Sequence, residues 1–202
     1  MRQIVLLLLG VCLGFAQAEN DSIWPNLRAR YLGLKTLSGA FKENICSEQE
    51  GTCTGFEGTF AISVPSRYRL EVTEGMRQLF VSDSANLWVY LADEKRAMKQ
   101  PGGGFAPVLA FLGPVLDSTA TAEVSKDSTG IYVVRVSMGD EMSAVNDLLL
   151  ELDEAGTHIN GFSFSDGMGN KVHFGFYDQK WNPKLLPGTF KFTPPKGVTV
   201  EE

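Results

Sequence analysis

The stretch Phe56-Glu57-Gly58-Thr59-Phe60-Ala61-Ile62-Ser63-Val64-Pro65-Ser66-Arg67-Tyr68-Arg69-Leu70-Glu71-Val72-Thr73 decides the class of fold. Phe56, Gly58, Phe60, Ile62 and Val64 alternate with Glu57, Thr59, Ala61 and Ser63. After a turn at Pro65-Ser66, Tyr68, Leu70 and Val72 alternate with Arg67, Arg69, Glu71 and Thr73. A period of two sends successive side chains to opposite faces, so each run reads as a strand with one buried face and the pair as an antiparallel hairpin.

The same pattern continues towards the C-terminus. Residues 79–81, 87–91 and 96–99 read as the next strands, and 122–125, 131–136, 147–152, 159–164, 171–177 and 190–192 as a second set. Glu154-Ala155-Gly156 and Asp166-Gly167-Met168-Gly169-Asn170 supply turn chemistry between them. In 87–91, Trp88 and Tyr90 share one face and Leu87, Val89 and Leu91 the other, so periodicity alone does not orient that strand. Towards the N-terminus, Leu27, Tyr31, Leu34, Leu37 and Phe41 recur at steps of three and four, which predicts a helix running to Phe41. Asp21 or Ser22 caps its start, and Pro25 suits an early helical position. About eleven strands with few helices suit a curved antiparallel sheet or barrel.

A glycine run at 102–104 interrupts the strands, and Phe105 to Leu116 follows, apolar nearly all round. Pro107 and Pro114 exclude a central strand there, and a short helix from Pro107 to Leu112, stopped by Gly113, fits. It reads either as a buried core helix or as a mobile cover hinged at the glycines. Composition does not separate the two.

Residues 1–18 read as a secretory signal: Arg2 in the n-region, Ile4 to Phe15 as the apolar stretch, and Ala16-Gln17-Ala18 as the cleavage site. The apolar stretch falls short of the roughly twenty residues that span a bilayer. The rival reading is a lipoprotein signal acylated at Cys12, which would place the bulky Val11 where such sites take a small residue. Residues 19–202 then form one exported domain, expected as a monomer. Cys46 and Cys53 remain in the exported chain and are expected to pair in a disulfide around a polar loop.

Composition narrows the function classes. A 44% hydrophobic chain can bury a core, while a net charge of −6 argues against nucleic acid as the main partner. Two histidines, His158 and His173, leave little for a metal site, and none is expected. The sequence holds no G-x-S-x-G elbow, H-E-x-x-H or phosphate loop. Asp166, His173 and Ser163 or Ser165 could be drawn as a triad across a hairpin, but adjacent polar residues on a hairpin also read as a solvated surface. His158 follows a turn and is expected to be exposed. No catalytic residue and no cofactor are assigned.

The terminal stretch Phe190-Lys191-Phe192-Thr193-Pro194-Pro195-Lys196-Gly197-Val198-Thr199-Val200 resembles the C-terminal signature of the periplasmic outer-membrane lipoprotein carriers, the LolA family. Further pieces match in order: the helix at Leu27 to Leu32, Leu37-Ser38-Gly39-Ala40-Phe41, the hairpin around Pro65, Val81-Ser82-Asp83 with Leu87 to Tyr90, Pro107-Val108-Leu109, and Asp166 with Gly169-Asn170. The resemblance covers nearly all of the exported chain. It implies an incomplete antiparallel β-barrel closed by the N-terminal helix and a helical lid, around an apolar cavity for acyl chains. It also implies a non-catalytic carrier that takes acylated lipoproteins from an inner-membrane LolCDE-type transporter to a LolB-type acceptor at the outer membrane. A carrier of another lipid or glycolipid, and a lipid- or lipoprotein-sensing module on the same fold, are the alternatives.

On that footing Phe60, Ile62, Tyr68, Leu70, Val72, Trp88 and Tyr90 are expected to line the cavity, and Val108, Leu109, Phe111, Leu112, Val115 and Leu116 to form the lid. Val64 stands at the position before the hairpin proline, where the family often has an arginine that bonds the closed lid, so the lid-control position lacks its donor here.

Overall fold

Helix α1 spans residues 20–32 in a computed structural model that describes residues 20–102, 109–137 and 146–202. The expected signal segment, the lid residue Val108, and Gly103 and Gly104 lie outside the described residues. Helix α1 buries Ile23, Leu27 and Tyr31 along one stripe, and Leu34 is buried just past its end. It ends at Gly33, whose N–H bonds the Arg30 carbonyl at 3.1 Å. The chain then turns into a strand, so Leu37 and Phe41 belong to β1 (Thr36–Ser47) and not to the helix.

The strands that follow are β2 (Thr52–Ser63), β3 (Arg67–Glu74), β4 (Gln78–Ser82), β5 (Asn86–Leu91), β6 (Arg96–Pro101), β7 (Thr121–Lys126), β8 (Tyr132–Ser137), β9 (Asn146–Leu152), β10 (Ile159–Ser165), β11 (Asn170–Trp181) and β12 (Thr199–Glu201). They form one open twelve-stranded sheet in the order β12-β6-β5-β4-β3-β2-β1-β11-β10-β9-β8-β7. Every described pairing is antiparallel except β12 on β6. The expected architecture is therefore present, with a strand at 36–47 that periodicity had assigned to the helix.

Residues 190–192 are not a strand. The chain after β11 crosses the outer face of the sheet as an irregular strap, and Phe192 packs between Trp88 and Tyr90 at ring distances of 5.5 and 5.4 Å. The strap then adds β12 to the edge strand β6. Pro194 and Pro195, which donate no N–H, stand in the irregular part and leave the pairing to Thr199–Glu201.

The second helix, α2, runs from Leu112 to Leu116. It starts where the expected helix was to stop, and Gly113 and Pro114 lie within it. The first turn of a helix has no intrahelical use for its N–H groups, so a proline is accommodated there. At the far end of β1, Cys46 and Cys53 face each other across the β1–β2 hairpin and form the expected disulfide, with Cα atoms 4.1 Å apart.

Candidate functional site

The inner face of the sheet follows from the register. Leu37 pairs with Ile62, Ile62 with Tyr68, Phe60 with Leu70, and Leu70 with Phe80, and paired residues share a face. Phe60, Ile62, Tyr68, Leu70 and Val72 are all buried on this face. Two glycines make room for the rings. A Cβ on Gly39 would stand 3.1 Å from the Phe60 ring and 2.6 Å from the Tyr177 carbonyl oxygen. On Gly58 it would stand 2.8 Å from the Phe41 ring and 2.0 Å from the Glu71 oxygen. The glycines that weaken a strand by propensity are thus what allows large aromatics opposite them.

From the other half of the sheet, Phe162, Phe174 and Phe176 complete an aromatic floor, with Phe162 and Phe174 stacked at 5.1 Å. Helices α1 and α2 cover it. Phe111, just ahead of α2, is fully buried and inserts its ring among Tyr31, Phe162 and Phe176 at 6.1, 5.4 and 5.4 Å. Leu112 and Val115 are buried beside it, and Leu109 and Leu116 are half-buried against the same cluster. Burial pushes the Tyr68 phenol up to about 12, the mark of an aromatic sunk in an apolar setting.

Trp88 and Tyr90, expected with the cavity lining, are placed on the opposite face. Phe80 and Leu91 mark the reason: Phe80 pairs with Val89, so Val89 and Leu87 turn inward and Trp88 and Tyr90 turn out beneath the strap. Five of the seven expected lining residues and the described lid residues are brought to one site, and these two are not.

Helix α1 is fastened at several points. The Tyr31 hydroxyl accepts the Ile159 N–H at 3.1 Å. Arg30 lies over the Trp181 ring at 4.9 Å and bonds His158 Nε2. His158 is therefore half-buried and not exposed, with Nδ1 3.0 Å from Asp153 Oδ2. Helix α2, by contrast, is joined to α1 by a side-chain bond from Arg28 Nε to the Val115 carbonyl at 3.1 Å. Position 64 makes no such bond. The Val64 N–H donates to the Lys35 carbonyl at 3.0 Å, and its side chain packs on the core. The bond between the two helices comes from Arg28, a residue of α1 to which sequence reading assigned no role.

The floor residues Phe162, Phe174 and Phe176 were not foreseen as lining, and neither was one charged residue of the inner face. Glu43 sits on β1 between the cross-strand partners Phe56 and Phe174 and is 9% exposed. Burial alone pushes its carboxyl up from 4.5 to about 7. The signal that could have found it is a lone acid in the inward phase Leu37, Gly39, Phe41, Glu43, Ile45, once the strand is recognised.

The polar residues weighed as a triad do not assemble. Asp166 Oδ1 accepts the N–H groups of Met168 and Asn170 at 2.8 and 2.9 Å, holding its own turn. His173 instead pairs with Glu151 at 3.3 Å on the outer face, which raises the imidazole pKa. Among the described residues no His, Cys, Asp and Glu gather in the manner of a metal site, and no helix is long and apolar enough to cross a membrane.

Known proteins are similar to this chain. A carrier from Neisseria gonorrhoeae, named outer-membrane lipoprotein carrier protein, is 30% identical over 168 residues, covering 81% of this chain and 79% of that one. A Methylococcus capsulatus protein of the same name is 28% identical over 203 residues, covering 98% and 96%. A crystal structure of a conserved Thermus thermophilus protein superposes with a TM-score of 0.52 at 14% identity, covering 89% of this chain and 96% of that one, which speaks for the fold alone. The profile described as outer membrane lipoprotein carrier protein LolA matches residues 33–193, and the chain belongs to the LolA family of lipoprotein carriers.

Proposed function

We propose that this protein is a periplasmic carrier that holds the acyl chains of lipoproteins against the inner face of its sheet, with α2 as the lid. The observation that carries the reading is the placement of Phe111. In a family of lipoprotein carriers, a fully buried ring just ahead of a five-residue helix packs among the rings of an aromatic floor. Swinging α2 away would vacate that volume for a chain of similar apolar character without disturbing the strands.

The physical need is plain. Each methylene kept from water is worth about 0.8 kcal/mol, so a sixteen-carbon chain crossing an aqueous space unshielded costs on the order of 12 kcal/mol. An inner-membrane transporter of the LolCDE type would load the carrier and an outer-membrane acceptor of the LolB type would empty it. No bond is made or broken in either step, so the reading assigns no catalytic group.

Mass spectrometry of material extracted from the protein purified from the periplasm tests this. Acylated lipoprotein is the expected cargo. Recovery of phospholipid or glycolipid alone would replace lipoprotein by another lipid as cargo, and a protein free of acyl species even when purified beside a lipoprotein-loaded transporter would refute the carrier reading.

A further inference from the structure

The inner face holds one group that neither the fold nor the carriage of plain hydrocarbon uses. Three polar residues are buried among the described residues, Glu43, Ser63 and Ser82. Ser63 Oγ accepts a bond from Arg67 at 3.0 Å and Ser82 Oγ reaches the Ser66 carbonyl at 3.3 Å. Glu43 has no hydrogen bond or ion pair with any described residue. Its neighbours on the same face are Phe41 and Ile45 along β1, and Phe56 and Phe174 across it. The nearest cations on these strands, Lys42 and Lys171, point to the outer face or its rim and are paired with Glu57 and Glu48.

The Glu43 carboxyl is not sealed from solvent, but ionising it this deep on an apolar face with no protein partner is costly, and replacing it with an apolar side chain of similar size would remove that cost. The position therefore suits a partner that arrives from outside. An ionised carboxylate accepts hydrogen bonds and donates none, so the partner is a donor, and a cation gains most from it in an apolar setting. Phe41, Phe56 and Phe174 share that face, and an aromatic ring attracts a cation that reaches its face. A compact ammonium on a molecule whose chains lie along the aromatic floor meets all three conditions.

We propose that Glu43 makes the cavity selective for acyl ligands that carry a protonated primary amine beside their chains. This rests on the reading of the inner face as an acyl cavity. The amine has two chemical sources: the α-amino group of a lipid-modified cysteine that is not N-acylated, and the ethanolamine head group of a phospholipid.

The test uses the exported protein and its Glu43→Gln variant. Two peptides with an S-diacylglyceryl cysteine, one with a free α-amine and one N-acetylated, compete against a fluorescent fatty-acid analogue. Phosphatidylethanolamine and phosphatidylglycerol of equal chain length form the second arm. The parent should prefer the amine-bearing member of at least one pair by about tenfold or more, as a charge-assisted bond implies, and Glu43→Gln should level that preference. Preference within the peptide pair identifies the α-amine as the source, and preference within the lipid pair the head group. Equal binding of all four ligands by the parent, or a preference that survives in Glu43→Gln, overturns the proposal while leaving the cavity reading intact. Failure of every acyl probe to bind overturns both. Glu43→Leu, which keeps the volume and removes the acceptor, serves as a second variant and should level the preference likewise.

Discussion

Replacing Glu43 by Gln should change how stability depends on pH. The unfolded chain releases the Glu43 proton near the ordinary 4.5, whereas the folded chain holds it to about 7. Between these values the native state binds the extra proton, so unfolding gains as pH rises. The contribution is fully favourable below 4.5, declines from there, and is lost as pH passes 7. At about 1.4 kcal/mol per pH interval, the swing is about 3 kcal/mol. Gln cannot ionise, so its unpaired amide shifts the whole curve without adding a slope. Urea unfolding of both proteins at pH 4.5 and pH 8 provides the measurement. The difference in unfolding free energy between variant and parent should move in favour of the variant by about 2–3 kcal/mol from the lower to the higher pH. Groups such as His173, held up by Glu151, titrate alike in both chains and cancel. Parallel pH curves within about 0.5 kcal/mol would refute the buried, partnerless placement of this carboxyl on which the argument stands.

Three further outcomes are expected. Arg28→Leu removes the bond to the Val115 carbonyl; with a half-buried donor worth about 1 kcal/mol, a fluorescent fatty-acid probe should enter several-fold faster in stopped-flow mixing, and an unchanged rate would leave the lid without its latch. Phe111→Ala should lower stability by about 3–5 kcal/mol in the free protein, read by urea unfolding, and a saturating two-chain ligand should restore part of the loss by filling the vacated volume. Cys46→Ser with Cys53→Ser opens a short loop and should cost about 2 kcal/mol by the same assay, with probe binding retained.

The hairpin from Phe56 to Thr73 was legible because nothing disturbs its alternation, and its inward residues were found where expected. The strand beside it was not. Leu34, Leu37 and Phe41 happen to continue a helical spacing, and the inward phase of β1 is disguised by Gly39, which makes room for Phe60, and by Glu43. Gly39 serves the face it sits on, as local rules are expected to fail where large rings must fit. Trp88 and Tyr90 escaped for a tertiary reason. A strand with one solvated face declares its orientation by polarity, but the strap lays Phe192 over the outer face of β5, so both faces are apolar and no local signal remains. Arg28 was visible as a charge on α1, but its meeting with Val115 joins residues 87 apart and no periodicity encodes that contact.

Under the proposed carrier reading, in which α2 is the lid, the balance of the closed position bears on which cargo is held. Displacing Phe111, Leu112 and Val115 from the floor returns three buried side chains to water, at about 1.5–3 kcal/mol each, or roughly 5–9 kcal/mol in all. That cost is incurred once, whereas the gain grows by about 0.8 kcal/mol for every methylene taken in. One eight-carbon chain gains about 6 kcal/mol and barely offsets the displaced lid, while two such chains on one molecule gain about 12 kcal/mol and exceed it. A carrier built this way ignores single short chains and responds steeply to a second chain on the same head. Calorimetric titration with octanoyl and dioctanoyl glyceryl probes, each kept below its aggregation threshold, checks this. The two-chain probe should bind at least about a hundredfold more tightly, corresponding to about 3 kcal/mol. If the one-chain probe binds as tightly as the two-chain probe, the second chain finds no room on the floor; if the one-chain probe binds with the full gain of its own methylenes, opening α2 costs nothing and Phe111 does not hold the floor closed.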